Sequence, residues 1–483
     1  MARAVSTKTA LKAKTAKAAS RKPARNTPAS VMVVNMIPKS LSGEEQQDSE
    51  PTLAVNPANP LQMAASAFTP DPAAGPFAPI YVSTDGGASW SLNSIVPSSA
   101  ADGSMTADIT VAFGAGSRLY AGIIRLPVVA DRTRLNILRC DDFRSATPMK
   151  VLVDRTGQGV DQPYVKAITF GGKDRLYVGD NDFSAPGKTA TIDQSLDAAK
   201  AKPVFRSVRI ETRSNSGQDG PSIRPCPHPD GTVYAVFHAW RTFNQNTGEG
   251  VADVVVVRDD KGGNGAAPYT ALVDAGDGKA GVRVAQGVKF NFDGFLGLQR
   301  TGGDVAIAVD PTDSAKIYVA YNDDRGLDYV LHLLRSTDRG ATWSADLSTI
   351  PNALNPALAV NSAGRVGMLY QQLSGSGAAQ RWVTMFVSSS DGATWQNVTL
   401  ATTPARNPPK QFDPYLGDYD HLTSVGKNFY GIFSASNLPI KANFPNGIIY
   451  QRNANFATGA LLDVDNTSPV NPSIDPFFFK VSL

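Results

Sequence analysis

Cysteine is almost absent from the 483 residues: Cys140 and Cys226 are alone, in separate repeats and without neighbours at metal-ligand spacing. This excludes a disulfide scaffold and a thiolate metal site, and both are expected to be buried thiols in a chain that leans towards a reducing compartment. Histidine is nearly as scarce. His228, His238, His332 and His421 are scattered, which speaks against an imidazole-based catalytic cluster. No run is long enough to span a bilayer, and no apolar signal-peptide core follows the N-terminus. Acid is missing before Glu44, whereas residues 1–28 carry eight Lys and Arg, from Arg3 to Arg25. Such a stretch cannot bury enough apolar surface to order itself, so residues 1–43 read as a disordered basic tail. The tail has three functional readings: an organelle, export or packaging address, an arm for nucleic acid or a membrane surface, or a plain solubilising segment. Localisation stays open between cytoplasmic and targeted. The net charge of +3 is too small to argue for any one partner.

What the chain has in quantity is repetition. An acidic or amide residue, often followed by proline, leads into an alternating apolar strand, then a turn and a second strand. The phrase reads Glu50-Pro-Thr-Leu-Ala-Val, Asp108-Ile-Thr-Val-Ala-Phe, Asp161-Gln-Pro-Tyr-Val, Asp219-Gly-Pro-Ser-Ile, Asp304-Val-Ala-Ile-Ala-Val, Asn355-Pro-Ala-Leu-Ala-Val and Asp413-Pro-Tyr-Leu-Gly. A period close to that of one four-stranded sheet means a radial repeat, because a lone sheet cannot cover both of its faces. The expectation is an all-β, seven-bladed propeller over residues 44–483, folded as a monomer. Val31–Ile37 is apolar enough to pair with the last blade and close the ring, which would remove two exposed sheet edges. The fourth interval is the longest and points to an interblade insertion near 260–303, rich in Gly and carrying Phe290, Phe292 and Phe295. It is either a loop over a binding site or a spare hairpin.

Three turns share a more specific pattern, Ser-x-Asp-x-Gly-x-x-Trp. They are Ser83-Thr-Asp-Gly-Gly-Ala-Ser-Trp90, Ser336-Thr-Asp-Arg-Gly-Ala-Thr-Trp343 and, one residue shorter, Ser389-Ser-Asp-Gly-Ala-Thr-Trp395. The carboxylate can accept backbone N–H groups in a tight hairpin, glycine supplies positive φ, and tryptophan packs between sheets. On these motifs, on Arg125-Leu-Pro and on the order Arg241, Arg325, Tyr415, the chain resembles the sialidase-like Asp-box (BNR) repeat propellers. The resemblance covers the propeller. Six blades are usual in sialidases and stand as the alternative to seven. It implies three arginines on a substrate carboxylate (Arg125, Arg241 and Arg325), an aspartate as acid/base (Asp131 or Asp142), and a tyrosine nucleophile (Tyr415). In sialidases the arginine motif precedes the first Asp-box, whereas Arg125 follows it. No glutamate lies close before Arg241 to activate the tyrosine; Glu211 is 30 residues away. A non-catalytic propeller therefore stays open beside a glycoside hydrolase or polysaccharide lyase.

Connectivity decides which residues can meet. In antiparallel blades the start of the first strand and the end of the second share one face, the mouth, and the Asp-boxes lie on the other. At the mouth the leads form a ring of carboxylates. Such a ring should raise its members' pKa values or recruit a cation such as calcium, with Asp161, Asp219 and Asp304 as its ligands. The alternative is that each carboxylate accepts N–H groups of a neighbouring loop. Trp240 and Asp182 join the three arginines at the ends of second strands as ligand contacts, and Tyr415 has Asp413 two residues before it. Planar guanidinium suits a carboxylate, so the expected ligand is an acidic glycan, acted on or recognised at the axial mouth. Pairing of the arginines with nearby acids is the competing account.

Overall fold

The computed structural model describes residues 30–67, 77–97, 105–126, 133–155, 160–182, 189–214, 222–296, 299–301, 304–324, 329–408 and 416–483. Among these there is no α-helix; nearly all regular structure is strand. Six sheets follow one another along the chain. Their innermost strands are Thr52–Val55, Met105–Phe113, Val160–Phe170, Ile223–Pro227, Val305–Asp310 and Ala353–Val360, each followed outward by its successors in antiparallel order, four in the sheet of Ile223–Pro227 and three in the others. A further sheet is assembled from both ends of the chain, in the order His421–Val425, Asn428–Ser436, Ile474–Ser482, Ser30–Asn35, Ile449–Tyr450. A small three-stranded sheet at Ala454–Asn455, Ala460–Leu462 and Pro469–Val470 stands beside it. Each innermost strand packs against the next, and His421–Val425 packs against Thr52–Val55, so the sheets form a ring in the manner of a propeller.

The burial pattern explains why these stretches are strands. Ala353–Val360 is buried at every position. Leu358 and Val360 enter the core shared with Ala306, Ala308 and Tyr318. Ala357 and Ala359 enter the next one, with Phe386, Phe429 and Phe479. A strand wedged between two neighbours needs apolar residues on both faces, and each fully buried Leu or Val contributes roughly 1.5–3 kcal/mol. Ring closure uses the antiparallel pairing of Val31 with Val481 and Val33 with Phe479. Ordered structure therefore begins well before the expected tail boundary at residue 43. Residues 1–29 of that tail lie outside the described residues.

Two leads are corrected. The innermost strand of the last sheet begins at His421, so its lead is Asp420 and not Asp413. The Asp413-Pro phrase imitates the repeat seven residues too early. In the third sheet Gln162, not Asp161, shares the register of Glu50 and Asn355: all three have positive φ (49°, 54° and 53°) and precede a proline. The extra length of the fourth repeat lies within its sheet rather than between sheets. It forms an excursion over 260–281, the long strand Val282–Leu296 and the short strand Gln299–Thr301. Asp259 folds the excursion back by accepting the N–H groups of Lys261, Gly263 and Tyr269 at 2.7, 2.8 and 3.0 Å. The excursion joins the third and fourth strands, so it lies on the face opposite the mouth, and its Tyr269 hydroxyl donates to Gln194 at 2.7 Å.

Candidate binding sites at the mouth of the ring

The Ser-x-Asp turns are built as folding devices. Asp85 accepts from Ser89 N at 3.0 Å, Asp338 from Thr342 N at 2.9 Å and Asp391 from Thr394 N at 2.8 Å. The Thr342 hydroxyl and then its N–H, donating to the ionised form, hold Asp338 below the usual carboxylate range, and Thr394 N does the same for Asp391. Trp90 and Trp343 donate their indole N–H to Gly87 O and Gly340 O at 3.1 and 3.2 Å. In the shortened third turn, Trp395 Nε1 has no such bond. Gly87 has φ 88°, and a Cβ there would lie 2.2 Å from the Phe478 ring, so the turn is also pressed against the closing sheet. These groups face away from the mouth.

At the axis, the leads converge. Glu50, Asp108, Asp304 and Asp420 are all buried. Burial first, and the neighbouring Asp418 second, push Asp108 up to about 6. Arg224 is the central cation. It contacts Asp304 Oδ1 at 2.9 Å and Ser222 Oγ at 3.0 Å, and its guanidinium carbon lies 4.3 Å from the Tyr164 ring centroid and 5.3 Å from that of Tyr419. Lys166 Nζ lies 3.0 Å from His421 Nε2, and Leu53 N donates to His421 Nδ1 at 3.0 Å. Burial pushes Asp420 well up and His421 well down, the latter helped by Lys166. The cavity between these groups measures only ≈ 30 Å³. That is room for a water or two and not for a sugar ring.

The expected ligand contacts are dispersed. Arg125 is buried in the second sheet, bound to Asn136 Oδ1 and Pro97 O. Arg241 is held between Glu211 at 3.0 Å and Asp253 at 2.8 Å, so the glutamate that is remote in sequence is its direct partner. Asp182 pairs with Arg155 at 3.3 Å. Asp161 Oδ1 accepts Gln162 N at 3.0 Å, and Asp304 is taken by Arg224. Arg325, Asp131, Asp219, Asp413 and Tyr415 lie outside the described residues. Of the expected contacts only Asp304 joins the residues that meet at the axis, with Tyr164, Lys166, Arg224 and His421. His421 belongs to this cluster rather than standing apart.

A larger opening lies further out on the same face. It measures ≈ 460 Å³ and is lined by Thr242, Phe243, Asn244, Glu249, Gly250, Val251, Lys289, Phe290, Asn291 and Asp324. Its position follows from the strand directions: Val233–Phe243 ends there, Glu249–Asp259 starts there, and Val282–Leu296 returns there, with Glu249 opposite Asn291. The floor is aromatic. Phe290 lies 4.5 Å from Trp240 between centroids, Phe243 lies 4.9 Å from Trp240, and Phe243 and Phe290 are within 11° of parallel. Trp240 is buried beside these rings, and of the three only Phe243 is appreciably exposed to the cavity. Gly250 makes room for Phe290, since a Cβ there would sit 2.1 Å from its Cζ. Asn244, Glu249, Lys289, Asn291 and Asp324 supply a polar rim around this floor.

No protein-family model matches the chain, and no curated protein does. Among solved structures it is similar to an α-L-arabinanase of Penicillium chrysogenum complexed with arabinobiose, at 11% identity over 92% of this chain and 97% of that one, with a TM-score of 0.42. It is likewise similar to an α-L-arabinofuranosidase of Fusarium graminearum with arabinobiose, at 10% identity over 92% and 97%, with a TM-score of 0.42. A third similarity is to the endosialidase of phage phi92, at 11% identity over 94% and 69%, with a TM-score of 0.29.

Proposed function

We propose that this chain is a seven-bladed, Asp-box-type propeller that recognises a glycan on its mouth face, in the pocket of the fourth sheet. Seven sheets of four or five strands, with innermost strands in cyclic contact, support the blade number; the small three-stranded sheet lies outside that cycle. The observation that carries the functional reading is the half-buried Phe243 ring, backed by Trp240 and Phe290, at a ≈ 460 Å³ cavity rimmed by amides and charges. Sugars offer an apolar C–H face to stack on an aromatic ring and hydroxyls that both donate and accept. A few placed polar groups around an apolar floor suit them. The rim holds two carboxylates and one ammonium, and Arg241 is already paired. A neutral glycan therefore fits better than the acidic one that free arginines would favour.

Hydrolysis is the second reading, because Glu249 and Asp324 face the same cavity and glycoside cleavage needs two carboxyl groups. The test is calorimetric titration with a panel of neutral pentose and hexose oligosaccharides beside acidic ones, followed by product analysis. Saturable binding that Phe243→Ala removes is expected. Absence of binding across the panel overturns the proposal. Product formation abolished by Asp324→Asn would convert recognition into catalysis.

A further inference from the structure

Two asparagines of the chain precede a glycine, Asn264-Gly265 and Asn446-Gly447, and both are exposed. The pairing matters chemically. Glycine has no Cβ, so its backbone nitrogen can approach the side-chain carbonyl of the asparagine before it without hindrance. What the fold does with the reacting atoms differs between the two pairs.

Asn446 is tied down. Its Nδ2 donates to Thr399 O at 2.7 Å, and Gly447 N donates to Phe444 O at 2.9 Å in a turn whose Phe444 is buried. Side-chain amide and following nitrogen are both engaged. Asn264 is the reverse. It lies in the excursion of the fourth sheet, on the face opposite the mouth, so its chemistry is independent of the glycan pocket. Among the described residues, neither its side-chain amide nor Gly265 N makes a hydrogen bond. A Cβ on Gly265 would meet nothing within 4 Å, so open space adjoins the bond between the two residues. The backbone around that bond is nonetheless pinned to the third sheet. Tyr177 Oη and Gln194 Nε2 donate to Gly262 O and Gly263 O at 3.0 and 2.7 Å, and Arg206 donates to Gly265 O and Ala266 O.

We propose that Asn264 is a site of covalent modification, at which Gly265 N closes a succinimide ring that opens to aspartate and isoaspartate, whereas Asn446 stays an amide. Hydroxide takes the proton of Gly265 N, and that nitrogen bonds to Asn264 Cγ. The Cγ–Nδ2 bond breaks, and Nδ2 leaves as ammonia after taking a proton from water. Water then opens the ring. Attack at the side-chain carbonyl leaves aspartate; attack at the main-chain carbonyl leaves isoaspartate, with the backbone running through Cβ. Nothing is oxidised or reduced. Either product places a new carboxylate next to the residue whose carbonyl Arg206 already holds. The isoaspartyl form also lengthens the backbone by a methylene, which shifts Gly265 O and Ala266 O relative to the guanidinium and loosens the excursion from the third sheet.

The experiment keeps the whole chain folded in mildly alkaline buffer and samples it over weeks by digestion and mass spectrometry. Methyl transfer from labelled S-adenosylmethionine by an isoaspartyl methyltransferase scores isoaspartate. The Asn264 peptide should gain the mass of an amide-to-acid exchange about tenfold faster than the Asn446 peptide, where two hydrogen bonds must open first. The methyl label is expected on the same peptide, and Asn264→Gln, whose longer side chain disfavours the ring, should remove both signals. In urea, with neither pair held by the fold, the two peptides should convert at similar rates. An Asn264 peptide that keeps its mass in the folded chain, or an Asn446 peptide that converts as fast, would overturn the proposal. Unequal rates in urea would assign the difference to local sequence and overturn it as well.

Discussion

Two openings share one face of this ring and differ in what their charge does. The axial one gathers Lys166, Arg224, Asp304, Asp420 and His421 around a ≈ 30 Å³ cavity, with Arg224 on Asp304 and Lys166 against His421. The pocket of the fourth sheet has fewer ionisable groups and about fifteen times the volume, over a floor of stacked rings. Convergence of charge thus marks where sheets meet, and accessible volume over an aromatic floor marks where a ligand can sit. A buried network is held by its own close neighbours; a binding site presents polar groups to an open cavity.

The largest test of that difference is Arg224→Ala. Removing the cation leaves Asp304 buried with its charge unbalanced, and a loss of about 3–5 kcal/mol in denaturant unfolding is expected. A small change would mean that the axis is open to water and must be reconsidered as a site. Next comes Gly250→Ala, whose methyl must displace the Phe290 ring. Glycan affinity should fall at least tenfold in titration, with stability lowered by about 1–3 kcal/mol; unaltered affinity would remove the aromatic floor from the argument.

Asp108 tests the axis through pH. Its folded value of about 6 stands above an unfolded value of about 3.9, so the folded state binds the extra proton between them. The destabilisation is complete above about pH 6 and vanishes as pH falls towards about 4. Asp108→Asn should therefore raise the unfolding midpoint near neutral pH and flatten that slope. A variant that keeps the wild-type pH profile assigns the slope elsewhere. The smallest effect belongs to Lys289→Ala on the pocket rim. Stability should stay within about 0.5 kcal/mol while affinity falls severalfold in the same titration.

Much of the architecture was legible because the inner strands are buried on both faces, which forces the same apolar phrase at every turn of the ring. The Ser-x-Asp-x-Gly-x-x-Trp turns were legible for a similar reason: the Ser and Asp of each bond within the turn itself. The errors in register have physical causes. Asp161 and Asp413 look like leads because proline follows closely in both phrases, but only the left-handed backbone at Gln162 and the strand start at His421 reveal the true positions. The pocket was harder to read. Phe290 belonged to a noticed aromatic cluster and Trp240 was singled out, yet Glu249, Asn244 and Asp324 come together only through the pairing of a fifteen-residue strand with its neighbour and the approach of the next sheet. Arg224 gave no signal at all, since nothing local distinguishes an arginine bound for the axis from one on the surface.

The closing sheet has a consequence for biosynthesis. Ile474–Ser482 sits between Asn428–Ser436 and Ser30–Asn35, so the strand that joins the two is translated after both of them. Until it emerges from the ribosome, Ser30–Asn35 has only the two-residue strand Ile449–Tyr450 to pair with in this sheet, and the circle stays ajar. A nascent chain that stalls short of that point would carry exposed sheet edges, a ready target for chaperones and proteases that survey unfinished products.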